Sequence, residues 1–261
     1  MQEVDRSGET VYGKKGSYSN LNKLGAGGMK VVYNAIDDQH GNEVVVVFPT
    51  TIMPNTDILQ AASYHGQVVE AMQIELALLK KITTTKQPHS IIRYIDESKN
   101  GQYFGVLEKG GDKDILEKCK RQPLSQSEII KISADVLHGL DFLHRQQPSI
   151  IHRDIKPQNI LFKKDGSAVL IDFGTVKHGW DTVPKFTSNK TGYNTMGWTC
   201  PHQDPTFGST YASPECDLYA LGRVMFYMAT GLDIANPVQN YYAHKTIHGK
   251  LSKKLHELPN V

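Results

Sequence analysis

Two short stretches of this 261-residue chain set polar side chains at fixed steps inside apolar surroundings. In "IIHRDIKPQNILF", residues 150–162, Asp154 is followed two residues on by Lys156 and five residues on by Asn159. In "VLIDFGTVK", residues 169–177, Asp172 stands between Ile171 and Phe173. An aspartate can take a proton from a hydroxyl, and a lysine beside it can neutralise a passing anion. An asparagine and a second aspartate supply hard oxygen ligands, which suit Mg²⁺ held together with phosphate oxygens. The eighteen residues from Asp154 to Asp172 leave room for two short strands that fold the loops together.

Holding these groups in place takes a strand-rich half and a helix-rich half. From residue 21 to about 108, the apolar β-branched runs "KVVYNAI", "EVVVVF", "SIIRYI" and "YFGVLE" read as strands, with turn residues such as "DDQHGN" and "SKNGQ" between the paired segments. Val68, Met72, Glu75, Leu76 and Leu79, spaced by three or four, predict one helix over residues 64–82. The expected small lobe has five antiparallel strands and one helix. Residues 1–20, polar and weakly patterned, read as a flexible lead-in. Beyond 112 helices dominate. "SQSEIIKISADVLHGLDFLHRQ" opens on a capping-box pattern, Ser125 with Glu128. "ECDLYALGRVMFYMATG", 215–231, is apolar nearly all round, as a helix buried inside a helical lobe would be. The division expected is 1–20, 21–108 and 109–261, with a ligand cleft between the two lobes.

The two polar stretches resemble the catalytic loop, H-R-D-x-x-x-x-N, and the magnesium loop, D-F-G, of the eukaryotic-type protein kinases. The resemblance extends over about residues 21–260 and implies a bilobal α+β fold. It also implies ATP and Mg²⁺ (or Mn²⁺) as cofactors and a protein substrate. Asp154 would orient the acceptor hydroxyl and take its proton, Lys156 would neutralise the moving phosphate, and Asn159 and Asp172 would hold the metal. Lysine two residues after the catalytic aspartate is the serine/threonine pattern. Thr195 in "TMGWTCPH" stands where the family keeps a threonine bonded to that aspartate and lysine. Leu107 takes the gatekeeper position, and Glu108 and Lys109 begin the adenine-binding hinge. Val32 caps adenine, and Leu24, Val45 and Leu161 complete the expected nucleotide set. Asp217 in "ECDLYALG" matches the aspartate that steadies the H-R-D backbone, and Leu79, Tyr94, His152 and Phe173 match the apolar spine linking the lobes.

One residue of the pattern is missing. The family's third strand ends V-A-I-K, and its lysine holds the phosphates and pairs with a helix glutamate. Here "GNEVVVVF" puts Val47 at that position, with Phe48 the alternative, while the glutamate is retained as Glu75. The glycine loop, G-x-G-x-x-G-x-V in the family, reads Gly25-Ala26-Gly27-Gly28-Met29-Lys30-Val31-Val32. Its third glycine has become Lys30. Alternate side chains of a strand share a face, so Lys30 should point the same way as Val32, into the cleft and toward Glu75. This arrangement resembles the with-no-lysine (WNK) kinases, whose catalytic lysine sits on the glycine-loop strand. Phe173 departs from that family, which carries leucine there. The expectation is an active, magnesium-dependent serine/threonine kinase using Lys30. Alternatives are a pseudokinase or nucleotide-binding scaffold, or an engineered lysine removal, which would not explain Lys30.

Other departures bear on regulation. The family's A-P-E appears as Cys200-Pro201-His202, and the arginine its glutamate would pair with is not evident, so the second lobe is expected to be incomplete or minimal at its C-terminal end. Thr182, Thr187, Ser188, Thr191 and Thr195 offer hydroxyls for autophosphorylation or an activating partner, with Arg153 as the docking cation.

Composition narrows the remaining classes. Hydrophobic residues make up 39% and charged residues 21%, as in ordinary globular proteins, and a net charge of +2 gives no polyanion-binding surface, so no nucleic acid partner is expected. Cys119, Cys200 and Cys216 are odd in number, scattered and free of C-x-x-C pairs, which argues against a disulfide framework or zinc knuckle and for a reducing compartment. "VVVVF" at 44–48 is too short to cross a bilayer, "MQEVDRSGET" has no secretion-signal stretch, and Gln2 excludes myristoylation. A cytoplasmic or nuclear protein without a membrane partner is expected.

Overall fold

The first strands form where the sequence reads as a flexible lead-in. The computed structural model describes residues 4–27, 29–50, 58–83, 87–120, 122–163, 165–178, 198–200, 203 and 212–232. In it β1 (Val11–Tyr12) pairs with β2 (Ser17–Ala26), so residues 11–12 and 17–20 belong to the sheet. Pattern reading passed over them because only Val11, Tyr18 and Leu21 point inward from a polar run. Tyr18 is fixed by donating its hydroxyl to the fully buried Asp96 at 3.0 Å.

The sheet continues through β3 (Lys30–Asp37) and β4 (Glu43–Pro49), paired antiparallel with Val32 opposite Val47 and Lys30 opposite Pro49. Alternation then separates two faces. Val31, Tyr33, Ala35, Val44, Val46 and Phe48 pack together under Phe104 and Val106. Residues of the opposite parity, Lys30, Val32, Val45 and Val47, line the interlobe cavity. This parity decides between the two candidates for the missing lysine: Val47 faces the cleft and Phe48 faces the small-lobe core.

Helix α1 (Ile58–Thr83) starts six residues earlier than the spacing predicts and buries Val68, Met72, Glu75, Leu76 and Leu79 on one face. Strands β5 (Tyr94–Glu97) and β6 (Gly105–Glu108) complete a sheet of six strands, one more than expected, in the order β1-β2-β3-β4-β6-β5. The run "SIIRYI" is a strand only from Tyr94 onward. Its first half joins the lobes instead, the Ile92 N–H donating to the Leu170 carbonyl at 3.0 Å and the Leu170 N–H to Ser90 at 2.8 Å.

The second lobe opens with β7 (Lys113–Asp114) and α2 (Ile115–Cys119), which Asp114 caps by accepting from the Glu117 N–H at 2.7 Å. Helix α3 (Gln126–His144) has the full capping box: Ser125 Oγ accepts from the Glu128 N–H and Glu128 Oε2 from the Ser125 N–H. Then come β8 (Ile150–Ile151), a 3₁₀ turn at Pro157–Asn159, and the two short strands predicted between the polar loops, β9 (Ile160–Phe162) and β10 (Ala168–Leu170), paired antiparallel. Strand β11 (Lys177–His178) returns to pair with β8.

Helix α4 (Pro214–Thr230) buries Val224 and Met228 completely but leaves Leu218 46% and Tyr219 40% exposed, so it is not enclosed all round as expected. One hydrophobic cluster runs from Met72, Leu76 and Leu79 through Tyr94 and Phe173 to Val136 and Val224, packing the lobes against each other. Each fully buried leucine in it contributes about 1.5–3 kcal/mol. Among the described residues no helix is long and apolar enough to cross a membrane.

Candidate active site

The floor of the cleft is two loops, the first of them held by one buried carboxylate. Asp217 of α4, 1% exposed, accepts from the His152 N–H at 2.9 Å and the Arg153 N–H at 2.8 Å, and meets His144 Nε2 at 2.9 Å. These bonds over-determine a strained backbone, since Arg153 has φ +68°. Two residues on from His152, Asp154 Oδ2 receives Lys156 Nζ at 2.6 Å and Asn159 Nδ2 at 2.9 Å. Asn159 Nδ2 also donates to the Asp154 carbonyl at 2.8 Å. Lys156 and Asn159, picked out with Asp154 by the resemblance to the catalytic loop, thus converge on one Asp154 oxygen.

The second loop is stitched to the first. The Ile171 N–H donates to the Asn159 carbonyl at 3.0 Å, and His152 Nε2 lies 3.2 Å from the Ile171 carbonyl. Phe173 stacks edge-on against His152, ring centres 4.9 Å apart, within the spine that also buries Leu79 and Tyr94. Asp172 takes φ +62°, a left-handed conformation unusual outside glycine, which turns its carboxylate into the cleft.

The roof supplies the cation. Lys30 Nζ lies 2.5 Å from Glu75 Oε2 and 2.8 Å from Asp172 Oδ1, joining strand β3, helix α1 and the second loop. Glu75, 4% exposed, also accepts the Phe173 N–H at 3.0 Å through its other oxygen. Burial opposes charge on Lys30, but Asp172 and then Glu75 outweigh it, so the ammonium titrates above an ordinary lysine. Lys30 in turn holds the Asp172 carboxyl down to about 2. Burial pushes the Glu75 carboxyl up, with Lys30 working against it.

Between roof and floor lies a cavity of about 600 Å³. Val32 and Val45 line it from above, Leu107 and Glu108 from the hinge side, and Leu161 from below. Leu24 and Gly27 reach it from the glycine loop, and Asp154, Lys156, Asn159, Glu75 and Asp172 from the polar end. Apolar walls with polar groups gathered at one end suit a flat ring carrying an anionic tail. Other predicted residues fall elsewhere. Gly25 and Ala26 pair with Val32 and Val31 in the sheet and do not line the cavity. Lys109 turns outward to Glu43 at 3.0 Å and Asp112 at 2.8 Å, so its side chain takes no part in the cleft. Gly28, the hydroxyls of 182–195, Pro201 and His202 lie outside the described residues.

Sequence reading missed Met29, Ile92, Gly110, Gly111, Ile171, Gly174 and Thr175 as lining residues. The glycine pair carried a readable signal. Gly111 has φ +148°, and a Cβ there would lie 1.8 Å from the Phe162 carbonyl oxygen, so the chain leaving the hinge needs glycine.

The donor set fits Mg²⁺. Asn159 and Asp172 face the same cavity; the Asn159 amide nitrogen is committed to Asp154, which leaves its oxygen for a cation, and Lys30 occupies one oxygen of Asp172. Among the described residues no three His, Cys, Asp or Glu side chains cluster as a self-sufficient metal site. A cation taking one carboxylate, one amide oxygen, phosphate oxygens and water needs no such cluster.

A "Probable serine/threonine-protein kinase pknA2" of Bifidobacterium longum is 29% identical over 236 residues, which cover 88% of this chain and 29% of that protein. A "Serine/threonine-protein kinase PknA" of Nostoc is 32% identical over 221 residues, 82% of this chain and 37% of that protein. A "Serine/threonine-protein kinase cst-1" of Caenorhabditis briggsae is 30% identical over 217 residues, 81% of this chain and 38% of that protein. The chain therefore spans well under half the length of these relatives. The protein kinase domain family matches residues 18–258, a span that takes in both lobes and all the polar cleft residues, and the chain belongs to that family.

Proposed function

We propose that this chain transfers the γ-phosphoryl group of ATP to serine or threonine hydroxyls of a protein substrate, with Lys30 in the role of the missing third-strand lysine. The observation that carries the reading is the position of Lys30 Nζ, 2.5 Å from Glu75 and 2.8 Å from Asp172, while Val47 places no charge in the cleft. A lone buried carboxylate at Glu75 would be costly, and the paired ammonium removes that cost.

Each side chain then has a task. Lys30 holds the phosphate tail, and Glu75 fixes the ammonium in place. Asp154, with an oxygen already accepting from Lys156 and Asn159, orients the acceptor hydroxyl and takes its proton. Lys156 follows the phosphoryl group with positive charge. Asn159 and Asp172 would hold Mg²⁺, which supplies charge neutralisation for the phosphate oxygens. The kinase names of the relatives and Lys156 two residues after Asp154 support serine or threonine as acceptor.

Incubation with Mg-ATP followed by intact-mass analysis tests the reading, with the parent beside Lys30→Met and Asp172→Ala. Phosphate-sized mass steps in the parent alone are expected. An unchanged parent, with or without added protein substrate, would favour a scaffold, and equal steps in parent and Lys30→Met would remove Lys30 from the mechanism.

A further inference from the structure

Away from the cleft, two of the three cysteines meet. Cys216 Sγ lies 2.8 Å from Cys200 Sγ, and neither is in a disulfide; they are 1% and 4% exposed. A disulfide has its sulfurs about 2.05 Å apart, so closing this pair takes a movement of about 0.8 Å. Both sulfurs ride on fixed supports. Cys216 belongs to the first turn of α4, its N–H donating to the Ser213 carbonyl at 3.0 Å. Cys200 follows Trp198, which packs edge-on against Tyr227 of the same helix, ring centres 5.8 Å apart. The next residue after Cys216 is Asp217, the carboxylate that carries the backbone of the catalytic loop. Cys119 is buried in the main cluster and makes no such pair.

We propose that Cys200 and Cys216 are a modification site: a peroxide converts them to a reversible disulfide that ties segment 198–200 to the first turn of α4. In the first step one cysteine sulfur attacks the O–O bond, becoming a sulfenic acid and releasing the alcohol, or water from hydrogen peroxide. In the second step the other sulfur attacks the sulfenic sulfur; the S–S bond forms, the S–O bond breaks and water leaves. The two thiols lose two electrons and two protons, and the peroxide is reduced by the same two electrons. A reducing compartment keeps the pair as thiols until peroxide arrives, and a dithiol reductant restores it.

The test uses the full chain and hydrogen peroxide, and reads mass alone, so its outcome does not depend on kinase activity. After treatment, free thiols are alkylated under denaturing conditions and peptides are mapped without reductant. The expected result is a linked Cys200–Cys216 peptide, an intact mass lower by two hydrogens, alkylation of Cys119 only, and full reversal by dithiothreitol. Cys119 is buried to the same degree as Cys200 but has no second cysteine sulfur beside it, so it serves as the internal control for a buried thiol that cannot close a disulfide. Cys200→Ser and Cys216→Ser each lose the linked peptide, and Cys119→Ser keeps it. Alkylation of all three cysteines after peroxide overturns the proposal, as does linkage through Cys119 or to a second chain. If a serine variant fails to fold, the map of the unaltered chain still decides.

Discussion

Replacing Lys30 by methionine keeps an unbranched side chain, one atom shorter, and removes its charge, which tests the electrostatic role. In the parent, Glu75 is 4% exposed and Lys30 18% exposed. Removing one partner of a buried ion pair costs about 3–5 kcal/mol. Glu75 keeps the Phe173 N–H, and Lys30 retains some water contact, so the lower end, about 3 kcal/mol, is expected. For a chain of this size that lowers Tm by roughly 6–12 °C. Urea and thermal unfolding of Lys30→Met, Glu75→Gln and the double variant measure it. The double variant should regain at least half of the loss, because it removes the orphaned charge as well. The pH dependence has a definite sign. The folded Glu75 carboxyl titrates above its ordinary 4.5, so its favourable contribution is complete below that value and fades as pH rises through the folded value. Losing Lys30 raises the folded value further, so the destabilisation should be greatest at neutral pH and shrink on acidification. A Lys30→Met variant within about 0.5 kcal/mol of the parent would mean that Lys30 behaves as an ordinary surface lysine and forms no buried pair with Glu75.

Three further outcomes follow from the same geometry. The Asp172 carboxyl is held near 2, so its contribution is present above the ordinary 3.8 and lost as pH falls toward 2; Asp172→Asn should remove that part of the acid sensitivity in urea melts taken from pH 5 to 2. Asp217→Asn replaces an acceptor by a donor beneath two backbone N–H groups, and should cost about 1–3 kcal/mol in stability while lowering phosphoryl transfer more than nucleotide binding. Gly111→Ala places a Cβ against the Phe162 carbonyl at φ +148°, and should destabilise by about 2 kcal/mol or more and weaken nucleotide affinity by fluorescence titration; an unchanged affinity would detach the glycine pair from the cleft.

The floor of the site was legible because its chemistry is written in consecutive residues. Asp154, Lys156 and Asn159 sit within one loop, so the resemblance to the catalytic-loop motif was enough to group them, and the capping box at Ser125 and Glu128 is equally local. Lys30 was legible through strand parity, which also predicted its common face with Val32. Long-range consequences were not. Nothing local tells that polar residues 11–20 add a strand, because the signal is Tyr18 reaching Asp96 across the small lobe. Leu218 and Tyr219 look buried by type, yet exposure depends on what packs beside them. The outward turn of Lys109 depends on Glu43, a neighbour from another strand. Cys200 and Cys216, read as scattered, meet only because residue 200 folds back onto α4.

The proposed role of Lys30 is to hold the cleft's positive charge at position 30 for phosphoryl transfer. Its most direct test is the rate of phosphate incorporation from Mg-ATP by the parent and Lys30→Met, both at a temperature below the variant's Tm. A loss of about 100-fold or more is expected in the variant, the scale of removing one preorganised charge from a transition state. Equal rates in a folded Lys30→Met protein would contradict it.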